Sequence, residues 1–260
     1  MQVLSIIVPV YNEARTVATI LEAVLAIDLS SLGITKEIIV VNDASTDMTL
    51  ESLRPYVDHP QITVISHQKN QGKGAALRTG FAAATGAITI VQDADLECDP
   101  REYPKILQPI VDGRADIVFG SRFAGGATHR VLNYWHSLGN KFLTGLSNML
   151  TDLSLTDMNT CYKAIKTDIL RRIPLHENRF GFDPEVTAKI AQLSRRERIL
   201  IYEVAISYTG RTYAEGKKIG WKDGVSSIRC ILKYNLFYSL PEAVATPQKS
   251  ETVVVAARLD

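Results

Sequence analysis

In the first half of the chain, short runs of aliphatic and β-branched residues alternate with stretches whose apolar positions recur every three or four residues. This alternation predicts strands joined by crossover helices, and hence a mainly parallel sheet. Leu4 to Val8 is the first run, Glu37 to Val41 (EIIVV) the second, Ile62 to Ser66 the third, Ala87 to Val91 (AITIV) the fourth and Ala115 to Phe119 (ADIVF) the fifth. Their continuous apolar character suits strands covered on both faces. After the first run, Val17, Ile20, Leu21, Val24 and Leu25 lie at helical spacing, with Asn12 as the expected cap. Gly72 to Ala84 reads as an Ala-rich helix between the third and fourth strands.

The second half has a different texture. Tyr134 to Leu150 and Glu185 to Gln192 read as helices, and Ile199 to Ile206 alternates like a strand. A basic, glycine-containing stretch, Thr209 to Gly224, precedes a last amphipathic segment, and the tail from Thr246 to Asp260 is expected to be loosely ordered. No internal repeat or low-complexity tract is present.

Composition narrows the class. A chain of 260 residues suits one α/β catalytic domain with a small appendage. A net charge of +1, from 29 basic and 28 acidic residues, supplies no global field for a nucleic-acid partner. Cys98, Cys161 and Cys230 are odd in number and lack metal-ligand spacing, which predicts a reducing, cytoplasmic compartment. The N-terminal MQVLSIIVPVYNEA has no basic leader and no small-residue cleavage site, so it reads as a first strand. The longest candidate for a membrane span, Val225 to Leu240, is interrupted by Arg229, Lys233 and Asn235. Association with a membrane surface or a partner subunit is left open, as is homo-oligomerisation. His59, His67, His129 and His176 show no ligand spacing and receive no role.

In open α/β sheets, ligands bind beyond the carboxyl ends of the strands. Polar residues follow four of the five runs: Pro9, Tyr11, Asn12 and Glu13; Asn42, Asp43, Ser45 and Asp47; Gln92, Asp93, Asp95 and Glu97; Ser121 and Arg122. Any one group is ordinary turn chemistry, whereas four at successive strand ends point to a site. The Asp93-Ala94-Asp95 pair can reach one hard divalent cation, with Glu97 as a third oxygen donor and phosphate oxygens or water completing the shell. Such an ion would neutralise a leaving diphosphate. The bland alternative is a solvated acidic turn ending at Asp99-Pro100.

Taken in order, Val8-Pro9-Val10-Tyr11-Asn12-Glu13, Val40-Val41-Asn42-Asp43-Ala44-Ser45-Thr46-Asp47, Asn70-Gln71-Gly72-Lys73-Gly74-Ala75-Ala76, Gln92-Asp93-Ala94-Asp95 and Gly120-Ser121-Arg122-Phe123 resemble the family-2 glycosyltransferases. Asp157-Met158-Asn159-Thr160-Cys161-Tyr162-Lys163, Gly181-Phe182-Asp183-Pro184-Glu185 and the Arg211 to Lys218 stretch look like the polyprenyl-phosphate branch, which includes dolichol-phosphate mannose and glucose synthases. The resemblance covers about Leu4 to about Leu240. It departs at Asn42-Asp43, where Asp-Asp is common, and lacks the QxxRW motif of processive polymerases, so single transfer is favoured.

The resemblance implies a GT-A, Rossmann-like α/β fold with a mostly parallel central sheet flanked by helices. Residues 1–224 would be the glycosyltransferase domain, with 1–122 holding the nucleotide sugar and 123–224 the acceptor; 225–260 would be an amphipathic helix and flexible tail. Pro9, Tyr11, Glu13 and Asp43 are implied for the base and ribose, and Asn70, Gly72, Lys73 and Gly74 for the base or diphosphate, with Ala94 between the carboxylates. Glycines would admit a ligand to the backbone, and the following helix would turn its N-terminus to an anion. Asp93, Asp95 and Glu97 are the implied ligands for Mg²⁺ or Mn²⁺, Glu97 standing where relatives often carry Gln. Arg122, Arg211, Lys217 and Lys218 would meet phosphates.

The implied reaction is inverting transfer of a hexose, of mannose or glucose type, from a GDP- or UDP-sugar to polyprenyl phosphate. A phosphate acceptor is already ionised near neutral pH and needs no base; for a hydroxyl acceptor, Asp157 is the nominated base. A saccharide or small-molecule hydroxyl acceptor and a non-catalytic nucleotide-sugar-binding scaffold are the alternatives. Tyr134, Trp135, Phe142, Leu143, Leu146, Met149 and Leu150, beside His136 and Lys141, either cover the sheet or meet a headgroup layer on the cytoplasmic face of a membrane. Ile228, Ile231, Leu232, Leu236, Phe237 and Leu240, with Arg229 and Lys233, form a second such segment.

Overall fold

The computed structural model describes residues 1–131, 134–211 and 220–241. Strands Gln2–Val10 (β1), Ile34–Asn42 (β2), Ile62–Ser66 (β3), Ile88–Val91 (β4) and Ile117–Ser121 (β5) fall on the five apolar runs. Lys163–Lys166 (β6) and Ile201–Ala205 (β7) join them, and the seven strands form one sheet in the order β3-β2-β1-β4-β6-β5-β7. All neighbours are parallel except β6, which lies antiparallel between β4 and β5. The pattern of apolar residues does not announce β6. It is four residues long with a lysine at each end, and the first of these, Lys163, is buried with its ammonium held by Asp183 at 2.5 Å and by the Thr160 carbonyl.

Among the described residues eight α-helices accompany the strands: Val17–Ala26 (α1), Thr49–Leu53 (α2), Lys73–Ala83 (α3), Tyr103–Val111 (α4), Tyr134–Thr151 (α5), Thr167–Arg171 (α6), Phe182–Ser194 (α7) and Trp221–Leu232 (α8). Helix α4, unforeseen, carries prolines at its start and interior that mask its periodicity. Side chains of β1 alternate between two cores, as a period of two requires. Leu4, Ile6 and Val8 meet α1 and α4 on one face, and Ile7 meets α3 and the α7 side on the other. The two halves expected at residue 122 share this sheet, since β6 and β7 are hydrogen-bonded into it. The boundary expected at 224/225 falls inside α8, which packs on α5 and α7 and continues into a π-helical turn, Lys233–Phe237. The tail from Thr246 to Asp260 lies outside the described residues.

Asn12 does not cap α1. That helix begins after Thr16, and Asn12 takes a left-handed φ of 53° while its Oδ1 accepts from the Thr46 amide at 2.8 Å. Helix α5 is amphipathic in an inverted sense. Its inward face is small and polar: Thr144, Ser147 and Thr151 are buried, Asn140 donates to Asp157, and Asn148 donates to the Leu155 carbonyl. Tyr134, Trp135, Leu138, Phe142 and Met149 are exposed, whereas Leu143, Leu146 and Leu150 are half-buried, so α5 turns only part of its apolar residues inward. Among the described residues no helix is long and apolar enough to cross a membrane.

Candidate active site

The carboxyl ends of β1, β2, β4 and β5 open onto one cavity of about 940 Å³. Pro9, Tyr11, Glu13, Asp43, Asn70, Gly72, Lys73, Asp93, Ala94, Asp95, Glu97, Arg122 and Arg211 all line it. The backbone is strained at this rim: Asn12, Ala44 and Leu96, just past β1, β2 and β4, hold φ values of 53°, 56° and 63°. Non-glycine residues rarely adopt that region, and such outliers gather at functional sites.

Asp43 is spent on the protein. Its two oxygens take four donors: His67 Nδ1 at 2.7 Å, the Gln71 amide at 2.9 Å, Asn70 Nδ2 at 3.0 Å and the Gly72 amide at 2.6 Å. A carboxylate has about four lone-pair sites, so the ribose contact implied for Asp43 has no acceptor left. Its role here is to shape the turn before α3. His67, to which the sequence assigned nothing, is the post behind it, braced at 2.9 Å by Thr79.

Gly72 and Gly74 are small because backbone approaches them. A Cβ on either would strike the main chain of residues 177–179, and the Ala75 amide donates to the Asn178 carbonyl at 3.1 Å. The first turn of α3 is therefore partly capped by protein rather than left open for an anion, and Gly74 does not line the cavity. Gly74→Ala is expected to cost about 1–3 kcal/mol through overpacking, read as a fall in the urea midpoint, with nucleotide affinity falling alongside it.

The three implied metal ligands are not gathered. Asp93 pairs with Lys73 at 2.7 Å, Asp95 with Arg211 at 3.2 Å, and Glu97 accepts from Tyr208 at 2.6 Å and from the Arg211 amide at 2.8 Å. Among the described residues no three His, Cys, Asp or Glu groups converge as a metal cluster. Burial alone would pull Lys73 down and push Asp93 up. Their contact reverses both, so Lys73 is held above and Asp93 below the ordinary range. The Lys73 charge implied for phosphate thus already has a partner.

Asp95 differs. Burial, then the neighbouring Asp93 and Glu97 charges, push its carboxyl up to about 7 despite Arg211. The Arg211 guanidinium is shared among Glu13, Asp95 and Glu97 at 3.2–3.5 Å, and its buried Nε has no hydrogen-bond partner.

Behind Asp93, the buried Gln92 side chain fixes the strand end. Tyr103 and Tyr162 donate to its Oε1 at 2.7 and 2.8 Å, and its Nε2 donates to the Asp93 carbonyl at 2.9 Å. Cys161 Sγ accepts from the Asp93 amide, and burial pushes that thiol well above its usual range.

Arg122 lines the cavity, and its guanidinium lies 5.1 Å from the Tyr208 ring centroid. Asp157 holds it bidentately, at 2.6 Å from Nε and 2.8 Å from Nη2. Asp157 is fully buried, also accepts from Asn140 at 3.1 Å, and is not among the cavity-lining residues. The base nominated for a hydroxyl acceptor is therefore an anchor for Arg122. Lys217 and Lys218 lie outside the described residues.

Other lining residues are ones the sequence did not point to as a site: Trp135 and His136 of α5, read there only as a sheet-covering or headgroup face, Asn140 of the same helix, Arg179 and Phe180 from the loop before α7, Asp183 in α7, and Asp223 and Ser227 in α8. Only Asp183 sat in a quoted motif. The rest reach the site through tertiary packing of elements distant in sequence.

The profile of Glycosyl transferase family 2 matches residues 5–173. A dodecaprenyl-phosphate galacturonate synthase of Rhizobium johnstonii is 28% identical over 218 residues, covering 82% of this chain and 61% of its own. A dolichol-phosphate mannosyltransferase of Pyrococcus furiosus is 28% identical over 187 residues, 71% of this chain and 52% of its own. The chain thus spans about half to three-fifths of the length of these relatives. Among solved structures, glucosyl-3-phosphoglycerate synthase from Mycobacterium tuberculosis, crystallised with Mn²⁺, uridine diphosphate and glucosyl-3-phosphoglycerate, superposes with a TM-score of 0.66 at 18% identity, over 90% of this chain and 80% of that one. The likeness bears out the expected GT-A architecture, a mostly parallel sheet between helices. With the family profile covering well over half of its length, the chain belongs to glycosyl transferase family 2.

Proposed function

We propose that this protein is an inverting glycosyltransferase that moves a hexose from a nucleotide sugar, GDP- or UDP-linked, to a polyprenyl phosphate at a membrane surface. One observation carries the choice of acceptor. Trp135, Gly139 and Leu143 of α5 line the cavity, and the same helix turns Tyr134, Trp135, Leu138, Phe142 and Met149 to the outside. The cavity wall therefore runs into an exposed apolar surface, the geometry needed to bring a lipid-borne phosphate to a polar site. Val225, Leu232, Leu236 and Phe237, exposed on the neighbouring α8 and its π-helical turn, extend that apolar character. The relatives named for dodecaprenyl and dolichol phosphate support the reading. The burial of Asp157 against Arg122 disfavours a hydroxyl acceptor that would use it as base.

In this reading residues 1–122 hold the donor and the acceptor enters from the 123–224 side, while Arg122 and Arg211, which line the cavity, meet phosphate charge. A divalent cation, Mg²⁺ or Mn²⁺, fits at Asp95. The site is all oxygen, and its three carboxylates Glu13, Asp95 and Glu97 share a single guanidinium, which leaves excess negative charge. When bound, such an ion neutralises the leaving diphosphate. Since the described carboxylates do not form a complete ligand set, substrate phosphates and water would finish its shell.

The deciding experiment incubates the protein with radiolabelled GDP- and UDP-sugars, polyprenyl phosphate and Mn²⁺, then extracts with butanol. Label in the organic phase is expected; label transferred only to water-soluble acceptors would overturn the lipid reading. Below about pH 7 Asp95 is a carboxylic acid and above it a carboxylate. Protons therefore compete with the cation, and its affinity should fall by up to about tenfold per pH unit below neutrality. The rise in melting temperature caused by Mn²⁺ should accordingly be larger at pH 8 than at pH 6.

A further inference from the structure

We propose that Arg179 binds a substrate phosphate in the cavity, a role that rests on the glycosyl-transfer reading above. The other arginines and the lysine that line the cavity among the described residues are each held by a carboxylate: Lys73 by Asp93, Arg122 by Asp157, and Arg211 by Glu13 and Asp95. An incoming anion must compete with those carboxylates. Arg179 lines the same cavity, is exposed, and its guanidinium makes no ion pair or hydrogen bond among the described residues. A guanidinium offers a planar fork of donors that matches phosphate oxygens, and here that fork is uncommitted.

The segment that presents Arg179 is fixed from several sides. The fully buried Glu185 accepts from the amides of His176 and Glu177, both at 2.7 Å. Glu177 in turn accepts from Lys233 and Tyr234, each at 2.8 Å, beyond the end of α8. Asn178 caps the first turn of α3 through its carbonyl, and the Phe182 amide donates to the Arg179 carbonyl at 3.2 Å. The stem of Arg179 lies over Gly72, where an added Cβ would come within 2.9 Å of Arg179 Cγ. The glycine therefore leaves room for an arginine beside Lys73 and Asn70, at the residues assigned to the donor. A fixed backbone beneath a free cation loses less entropy on gripping phosphate than a mobile lysine would.

Two substrates carry the required chemistry, the diphosphate of the donor and the phosphate of the acceptor. The test titrates the full chain and its Arg179→Gln and Arg179→Lys variants with UDP and GDP in the presence of Mn²⁺, and separately with farnesyl phosphate and farnesol. Arg179→Gln is expected to weaken a phosphate ligand by about tenfold or more, with Arg179→Lys intermediate, farnesol binding unchanged and melting temperature unchanged. Loss confined to the nucleotides assigns Arg179 to the donor, and loss confined to farnesyl phosphate assigns it to the acceptor; either supports the proposal. If the parent binds these ligands and Arg179→Gln binds all of them equally well, the proposal is overturned and the glycosyl-transfer reading stands. A lowered melting temperature with farnesol weakened in parallel also overturns it, in favour of a structural arginine. A parent that binds neither nucleotide nor farnesyl phosphate overturns both.

Discussion

Asp95→Asn is expected to lower transfer by about 10³-fold, roughly 4 kcal/mol of transition-state stabilisation, while the protein stays folded. The substitution keeps the shape, and an amide oxygen remains to accept from the Arg211 guanidinium, which Glu13 and Glu97 also hold. What it removes is the charge that a cation, and through it the leaving diphosphate, would use. Stability should move the other way. Burial and two neighbouring carboxylates raise Asp95 to about 7, well above its unfolded value near 3.8. The folded state therefore favours the proton, and the parent loses stability as pH rises from about 4 through about 7. Asn cannot ionise, so the variant should match the parent near pH 4 and exceed it above pH 7. Melting curves without divalent ions at pH 5 and pH 8, alongside turnover with Mn²⁺, read both effects. A variant less stable than the parent at pH 8 would make Asp95 a structural support for Arg211 instead.

Asp157→Ala should be the most damaging change to the fold itself, costing about 3–5 kcal/mol. Asp157 is fully buried and gives both oxygens to Arg122, while Asn140 and the Arg122 amide add further bonds. Removing it strands a guanidinium whose side chain is only 17% exposed. Arg122 would then lose its orientation against Tyr208, and transfer should fall with stability. Two further variants separate an anchor from a base. Arg122→Ala combined with Asp157→Ala should be little worse than Asp157→Ala alone, because the pair acts as a unit. Asp157→Asn should lower the urea midpoint as well as turnover, whereas loss of a general base would lower turnover with the midpoint unchanged.

The legible part of the site was its placement. Asp93, Asp95, Glu97, Asp43 and Arg122 follow apolar runs, and strand ends in a parallel sheet point to one edge, so their convergence on a common cavity could be expected from order alone. The individual roles were harder to read. The resemblance implies Lys73 and Gly74 for the base or diphosphate, since charge and small size suit a ligand. In the folded molecule the charge meets Asp93, and the missing side chain makes room for the carbonyl of Glu177. His67 had no motif around it, and its work is done against Asp43, which lies 24 residues away in sequence.

By itself the sequence determined the parallel sheet and the order of its first five strands along the chain, because hydrophobic periodicity is a local property of consecutive residues, and its ordered motifs carried the resemblance to the family. Only the tertiary structure decided which charges are already paired, which face of α5 looks outward, and how β6 enters the sheet antiparallel. Each depends on partners that only the fold brings together: Asp157 for Arg122, Asp183 for Lys163, and the 155–159 segment, folded back after α5, for the polar face of that helix. Whether a polar side chain is a ligand or a support depends on which donors and acceptors surround it, and that inventory exists only after folding.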